Sequence, residues 1–189
     1  MDHAQLLLLA GPPGSGKTTV APLVARAFAT SAAVQSDWLW TTVVNGALDP
    51  WELGAEPQNC AMRRASFSAA ARLVEEGYST VLEGMFAPPC FEDIRGELEA
   101  LEVPVSYVVL RPSLDVCLAR ATGRRRDAQH AGALAARGPI AMLYAQFSDL
   151  GAYEAHVVDS TELTVSATAR RVVDLLGRGE ARLTLSTHG

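Results

Sequence analysis

A wholly apolar segment near the N terminus runs directly into a glycine-rich loop that ends in lysine and threonine. Leu6–Ala10 is followed by Gly11-Pro12-Pro13-Gly14-Ser15-Gly16-Lys17-Thr18-Thr19, with the spacing G-x-x-x-x-G-K-T. A short, continuous apolar run is typical of a strand buried on both faces of a parallel sheet. The alanine-rich stretch from Lys17 to about Ala29 has apolar side chains at helical spacing. The loop therefore joins a strand to a helix, which restricts the chain to an α/β fold.

The residue types of this loop are those that a triphosphate site requires. Glycines let the backbone curl until successive N–H groups point inward, and the start of the helix adds positive partial charge. Lys17 is predicted to reach the β- and γ-phosphates, and the Thr18 hydroxyl to bind Mg²⁺. The predicted nucleotide contacts in the loop are Gly11, Gly14, Ser15, Gly16, Lys17, Thr18 and Thr19.

Composition excludes several other classes of protein. With 189 residues, 49% apolar and 20% charged, the chain is predicted to be one folded domain, and its net charge of −5 argues against broad binding to nucleic acid. The apolar runs are too short to cross a membrane or to form a signal peptide. Three cysteines without a Cys/His cluster predict neither a zinc site nor disulfides. We expect a cytoplasmic monomer or homodimer.

Strand and helix patterns alternate along the rest of the chain, which predicts a parallel sheet covered on both faces. Further strands are predicted at Ala32–Ser36, Ser79–Leu82, Val103–Leu110 and His156–Asp159. We expect a single domain at residues 1–178 and a loose C-terminal tail at 179–189. The arginine- and glycine-bearing stretch at about 122–139 is predicted to be a flap.

Two motifs of other phosphate-loop proteins are missing. No predicted strand ends in Asp-Glu, as motor ATPases require, because Leu110 runs into Arg111-Pro112. Lys17 is the single lysine, so the Asn-Lys-x-Asp motif with which signalling GTPases read guanine is absent. Both absences favour the small-molecule and nucleoside or nucleotide kinases.

The order of four segments resembles the P-loop small-molecule kinases, a group with chloramphenicol phosphotransferase, gluconate kinase and the zeta-toxin-like kinases. The segments are Gly11–Thr19, Gln35-Ser36-Asp37, Val81-Leu82-Glu83-Gly84 and Leu110–Arg120. The resemblance implies a P-loop NTPase fold of three α/β/α layers, with a five-stranded parallel sheet in the order 2-3-1-4-5. It also implies an arginine-bearing lid over the nucleotide.

Two carboxylates follow strands at the edge where open α/β sheets bind ligands. The resemblance implies that Asp37 accepts the proton of an acceptor hydroxyl, and phosphoryl transfer needs a carboxylate positioned there. Alternatively, Asp37 only caps the helix that begins at Trp38. Glu83 competes with Asp37 as the base, or orders Mg²⁺ waters, holds the acceptor, or bonds a neighbouring loop.

The three tryptophans are Trp38, Trp40 and Trp51, all within 14 positions beside Asp37. They either pack in the core or form an acceptor pocket, since tryptophan offers a flat apolar face with one donor. The predicted acceptor contacts are Asp37, Trp38, Trp40, Glu83, Met85 and Phe86.

The one dense basic stretch contains Arg120, Arg124, Arg125 and Arg126. It is either an exposed surface run or the lid whose arginines offset charge on the transferring phosphate. We predict catalytic roles for Lys17, Asp37, Arg120 and Arg124, and the last two are also predicted to contact the nucleotide. Arg137 is a further lid candidate.

These patterns predict a Mg²⁺-dependent kinase that moves the γ-phosphate of ATP or GTP to a hydroxyl of a small organic acceptor, with antibiotics among the candidates. The alternatives are a sugar-acid, nucleoside or nucleotide kinase, a toxin kinase acting on a nucleotide-sugar, and a nucleotide-binding regulatory protein without transfer activity. A polyanionic acceptor would require basic residues in its pocket, for which Arg63 and Arg64 are the evident candidates.

Overall fold

The computed structural model describes residues 4–123 and 137–185. Strands and helices alternate within these two ranges, as the sequence pattern predicts. The elements are β1 (Leu6–Ala10), α1 (Lys17–Ala25), β2 (Ser31–Gln35), α2 (Asp37–Trp40), α3 (Glu56–Glu75), β3 (Ser79–Gly84), α4 (Phe91–Ala100), β4 (Val105–Leu110), α5 (Leu114–Gly123), α6 (Arg137–Ala145), β5 (Val157–Val158) and α7 (Val165–Gly177). Single 3₁₀ turns at Pro88–Cys90 and Gly151–His156 precede α4 and β5.

The five strands form one parallel sheet in the order β2-β3-β1-β4-β5. This confirms the predicted fold class and strand order. β1 lies in the middle, where Leu8 is level with Leu82 of β3 and with Tyr107 of β4. Because every strand runs in the same direction, the segments that follow β1, β2 and β3 all leave the sheet at one edge.

Alternate residues of β1 enter two separate cores. Leu6 and Leu8 face a core that α3 and α4 cover, whereas Leu7 and Leu9 face a core covered by α1 and α7. All four side chains are at most 1% exposed. Burial on both faces explains why this strand is apolar at every position instead of alternating.

Several element boundaries differ from the predicted ones. β3 continues through Glu83 and Gly84, which pair with Gln35 and Ala10. The sequence pattern predicts the helix α3 from Gln58, and the helix begins two residues earlier because Pro57 is tolerated in the first turn. Within the described residues, no helix combines the length and the apolar character that a membrane span needs.

The expectation of a loose tail is wrong for the segment after α7. Tyr107 donates its N–H to the Ala181 carbonyl at 2.8 Å, and Leu183 donates to the Val105 carbonyl at 2.9 Å. Arg182 forms an antiparallel bridge to Ser106, and Ala181 is 2% exposed. The segment covers the part of β4 that β5 is too short to reach.

An ion pair joins the end of β4 to the 3₁₀ turn before β5. Arg111 donates to both carboxylate oxygens of Glu154, at 2.9 and 2.8 Å, and also to the Phe147 carbonyl. The hydrogen bonds from Arg111 and from the Leu150 backbone lower the pKa of Glu154 from its ordinary value of 4.5 to about 2. The charged carboxylate is therefore the form that the folded chain favours.

Replacing Glu154 with Gln should lower the melting temperature at neutral pH. The wild-type pair is fully effective above about pH 4.5 and is lost as the pH falls towards 2, because the depressed pKa belongs to the folded state. In melting curves from pH 7 to pH 3, the difference in melting temperature between the two proteins should therefore be constant above about pH 4.5 and shrink steadily below it. A constant difference in melting temperature from pH 7 to pH 3 would contradict the assignment of a charged Glu154 in the ion pair with Arg111.

Candidate active site

The glycine-rich loop between β1 and α1 has a backbone conformation and close contacts that residues with a Cβ atom would disturb. Gly11, Gly14 and Gly16 all have positive φ, at 147°, 80° and 97°. A Cβ atom on Gly14 would lie 2.2 Å from the Cys117 carbonyl oxygen of α5, and one on Gly11 would lie 2.3 Å from the Leu110 carbonyl oxygen. The glycines thus serve two needs, a left-handed backbone and close contact with neighbouring elements.

Polar side chains of the loop are held inside it. Lys17 is 7% exposed and donates from Nζ to the Pro12 carbonyl at 3.1 Å, across the loop. Ser15 is 2% exposed, and within the described residues its hydroxyl makes no hydrogen bond. A buried hydroxyl in that state is costly, and an added oxygen ligand would satisfy it.

The loop is bonded to the neighbouring strand through Thr18, which donates its hydroxyl to Glu83 Oε1 at 2.9 Å. Glu83 is 2% exposed and lies near the end of β3. A hydroxyl beside a carboxylate provides oxygen donors of the kind that Mg²⁺ prefers. The described residues contain no group of three or more His, Cys, Asp or Glu side chains suited to a metal. The paired hydroxyl and carboxylate of Thr18 and Glu83 fit an ion that takes its other ligands from phosphates and water.

A cavity of about 660 Å³ opens beyond the ends of β2 and β3, and Asp37 lines it. Asp37 is the first residue of α2, directly after β2, and is exposed. In the described part of the chain its carboxylate makes no hydrogen bond, and Ser36 occupies the N-cap position instead. The helix-cap interpretation of Asp37 therefore lacks its hydrogen bond.

The cavity gathers some of the predicted acceptor residues. Trp40, Met85 and Phe86 line it together with Asp37 and Trp51. The other two predicted residues do not line it. Trp38 is 65% exposed outside the cavity, and Glu83 is buried under the loop.

Sequence reasoning missed much of the cavity wall that α3 provides. Asn59 accepts from Trp40 Nε1 at 3.3 Å and donates to the Pro50 carbonyl at 2.8 Å. Gln58 holds the same wall by bonding both backbone groups of Leu48. Asn59 and Arg63, four positions apart, both line the cavity, but only the folded chain shows which face of α3 does so.

The basic residues predicted in the lid are only partly described. Arg120 is half-buried on α5. Burial raises the pKa of the neighbouring Cys117 thiol to about 11, while the positive charges of Lys17 and Arg120 act against this rise. Arg137 is exposed at the start of α6, whereas Arg124, Arg125, Arg126 and most of the predicted flap lie outside the described residues.

Loop and cavity are near neighbours because β3 alone separates β1 from β2. Two strand spacings amount to about 10 Å. Ser36 donates its N–H to the Glu83 carbonyl, and a Cβ atom on Gly84 would lie 2.1 Å from the Ser36 hydroxyl. The series of contacts from Thr18 through Glu83 and Ser36 to Asp37 is therefore continuous and closely packed.

Comparison of the sequence with protein-family models gives a match that includes the phosphate-loop residues. A sequence model described as an AAA domain matches residues 6–138, which span the loop, α5 and most of the residues that line the cavity. The chain belongs to this AAA domain family. A search of curated protein sequences finds no match.

Many solved structures share the fold of this AAA domain protein. The tunicamycin resistance protein of Deinococcus radiodurans is 17% identical, with a TM-score of 0.64 over 98% of this chain and 99% of that one. The APS kinase of Mycobacterium tuberculosis, in complex with AMPPNP and APS, is 22% identical, with a TM-score of 0.65 over 93% and 98%. The shikimate kinase of Acinetobacter baumannii, with shikimate, is 19% identical, with a TM-score of 0.60 over 94% and 95%. These likenesses show the shared fold.

Replacing Gly14 with Ala should destabilise the chain more than replacing Gly46 with Ala. Both glycines have positive φ, which costs an alanine about 1–2 kcal/mol, but a Cβ atom on Gly46 meets nothing within 4 Å. The contact with Cys117 adds about 1–3 kcal/mol of overpacking. Thermal unfolding should therefore place the melting temperature of G14A about 2–12 °C below that of G46A. Equal melting temperatures would contradict the close contact between the loop and α5.

Proposed function

We propose that this chain is a Mg²⁺-dependent kinase that transfers the γ-phosphate of ATP or GTP to a hydroxyl group of a small organic acceptor. The supporting observation is the position of Asp37, which lines a cavity at the sheet edge where the phosphate loop also lies. With about 10 Å between the ends of β1 and β2, a γ-phosphate held by the loop fits between the loop and the carboxylate. The kinases among the structural neighbours support the same assignment.

The loop residues bind the triphosphate in this proposal. Backbone N–H groups of Gly14, Ser15 and Gly16 surround the β-phosphate, and Gly11 permits the turn that aims them. Lys17 exchanges its bond to the Pro12 carbonyl for the β- and γ-phosphates. Thr19 continues α1, whose N-terminus adds positive partial charge.

Thr18 and Glu83 are assigned to the metal. The Thr18 hydroxyl is the direct ligand, and Glu83 holds that hydroxyl in place. Bound Mg²⁺ would neutralise charge on the β- and γ-phosphate oxygens and orient them for transfer.

Asp37 is assigned as the proton acceptor. The acceptor oxygen forms a bond to the γ-phosphorus, the bond from that phosphorus to the β,γ-bridging oxygen breaks, and the nucleoside diphosphate leaves. The hydroxyl proton passes to Asp37. Asp37 is preferred to Glu83 because it is exposed to the cavity, whereas Glu83 is buried and bonded to Thr18. Arg120, and Arg124 from the undescribed segment, are proposed to offset charge on the transferring group.

The cavity is proposed to hold the acceptor through Trp40, Met85 and Phe86, whereas Trp38 would reach the acceptor only if its side chain moved. An antibiotic is one acceptor of suitable size, and the similarity to a tunicamycin resistance protein supports that choice. We propose a cytoplasmic site of action, where ATP is available and where the three free cysteines would stay reduced.

The first test is nucleotide binding and transfer. Calorimetry should show affinity for ATP or GTP that depends on Mg²⁺, and K17A should lower it at least tenfold because a phosphate contact is lost. Transfer from γ-labelled nucleotide to hydroxyl compounds should be detectable in the wild type. A folded chain with no Mg²⁺-dependent nucleotide affinity would refute the proposal.

Two isosteric variants separate the roles of the carboxylates. D37N should reduce kcat by at least about 100-fold, with nucleotide affinity unchanged, because it removes the proton acceptor. E83Q keeps an acceptor for the Thr18 hydroxyl but removes the charge, so it should raise the Mg²⁺ concentration needed for half-maximal rate. Wild-type kcat in D37N would exclude Asp37 as the base.

A further inference from the structure

Carboxylates dominate the charged groups around the cavity. Asp37, Asp49, Glu52 and Glu56 all line it. Among the described residues that line it, Arg63 is the only basic side chain. The wall therefore carries four acidic groups and one basic group.

The charge of Arg63 is already matched by two carboxylates. Its Nε donates to Asp93 Oδ2 at 2.6 Å, and its Nη2 donates to Glu56 Oε1. The Arg63 side chain is 12% exposed and is held between these partners. Arg64 donates to the Asp93 carbonyl and does not line the cavity. Neither arginine is thus positioned to recognise an anionic acceptor.

The remaining wall is mostly apolar, and hydrogen bonds hold part of it in place. Trp40, Trp51 and Phe86 offer ring faces and edges, and the bonds of Gln58 and Asn59 fix the facing segment. Such a surface suits the apolar side of a ring-bearing molecule. The carboxylates attract positive charge and repel negative charge, and because Asp37, Glu52 and Glu56 are exposed, dissolved salt screens this effect.

We propose that the acceptor site selects an amine-bearing hydroxyl compound with an apolar ring, and that it discriminates against hydroxy acids and phosphorylated acceptors. The proposal rests on the proposed function, because it takes this cavity as the acceptor site. It assigns the discrimination to the carboxylate wall and to the matched charge of Arg63.

A pair of probes tests the charge preference directly. Phenylalaninol and 3-phenyllactate share a phenyl ring and a hydroxyl group, and at pH 7 they carry opposite charges. The indole N–H signals of Trp40 and Trp51 in ¹⁵N-labelled protein report binding in the cavity. We expect phenylalaninol to bind about tenfold more tightly, with the preference reduced in 0.5 M salt. A preference below threefold, a reversed preference, or no shift with either probe at 20 mM would overturn the inference.

A matched pair of variants tests the role of Arg63. E56Q removes one carboxylate of the wall and releases one side of the guanidinium, so it should lower the preference for phenylalaninol at least threefold. E97Q removes an equal charge from the exposed side of α4, away from the cavity, and should leave the preference unchanged. An unaltered preference in E56Q, or an equal change in both variants, would overturn the assignment.

These measurements involve neither nucleotide nor transfer. A chain that binds Mg²⁺-nucleotide and phosphorylates an acceptor, yet prefers phenyllactate, would lose only the present inference. A chain that fails to bind nucleotide would lose the proposed function, whichever probe it prefers.

Discussion

The parallel register of β1 between β3 and β4 is the constraint on which the rest of the site depends. It sets Ala10 level with Gly84 and Val109, so the loop that follows β1 emerges between the ends of two other strands. Thr18 then reaches Glu83, and Gly14 fits against the Cys117 carbonyl, without any insertion or long loop. The hydrophobic effect supplies this register, because a one-residue slip would exchange the two cores that Leu6–Ala10 occupies.

Much of this arrangement follows from the sequence, because the determining signals are local. The apolar run, the spacing of the glycines and the single lysine predict the strand, the loop and the helix, and the resemblance supplies the strand order that the structure confirms. Asp37 is correctly predicted to follow β2, where a polar residue ends a short strand. The extension of β3 through Glu83 is harder to predict, since a buried carboxylate in a strand depends on its partner Thr18, 65 positions away.

The residues of the cavity wall cannot be predicted from local sequence either, because they too depend on partners that are far away in the sequence. Asn59 and Arg63 acquire their positions from Trp40, Pro50 and Asp93, which come from three other segments. Nothing local distinguishes Trp38, which is exposed, from Trp40, whose indole is bonded to Asn59. In the folded chain, acidic partners 7 and 30 positions away bond to the Arg63 guanidinium. Charge composition alone predicts neither pairing.

The segment Ala181–Leu183 has a practical consequence for handling the protein. It pairs with Val105–Tyr107, where β5 does not extend, and so leaves that stretch of β4 without open backbone donors and acceptors. Truncation at the apparent end of α7 would uncover a sheet edge that another molecule can extend, a common route to aggregation. Expression boundaries and C-terminal fusions therefore belong after residue 185, although the last helix ends at Gly177 and the sequence pattern predicts a domain end at residue 178.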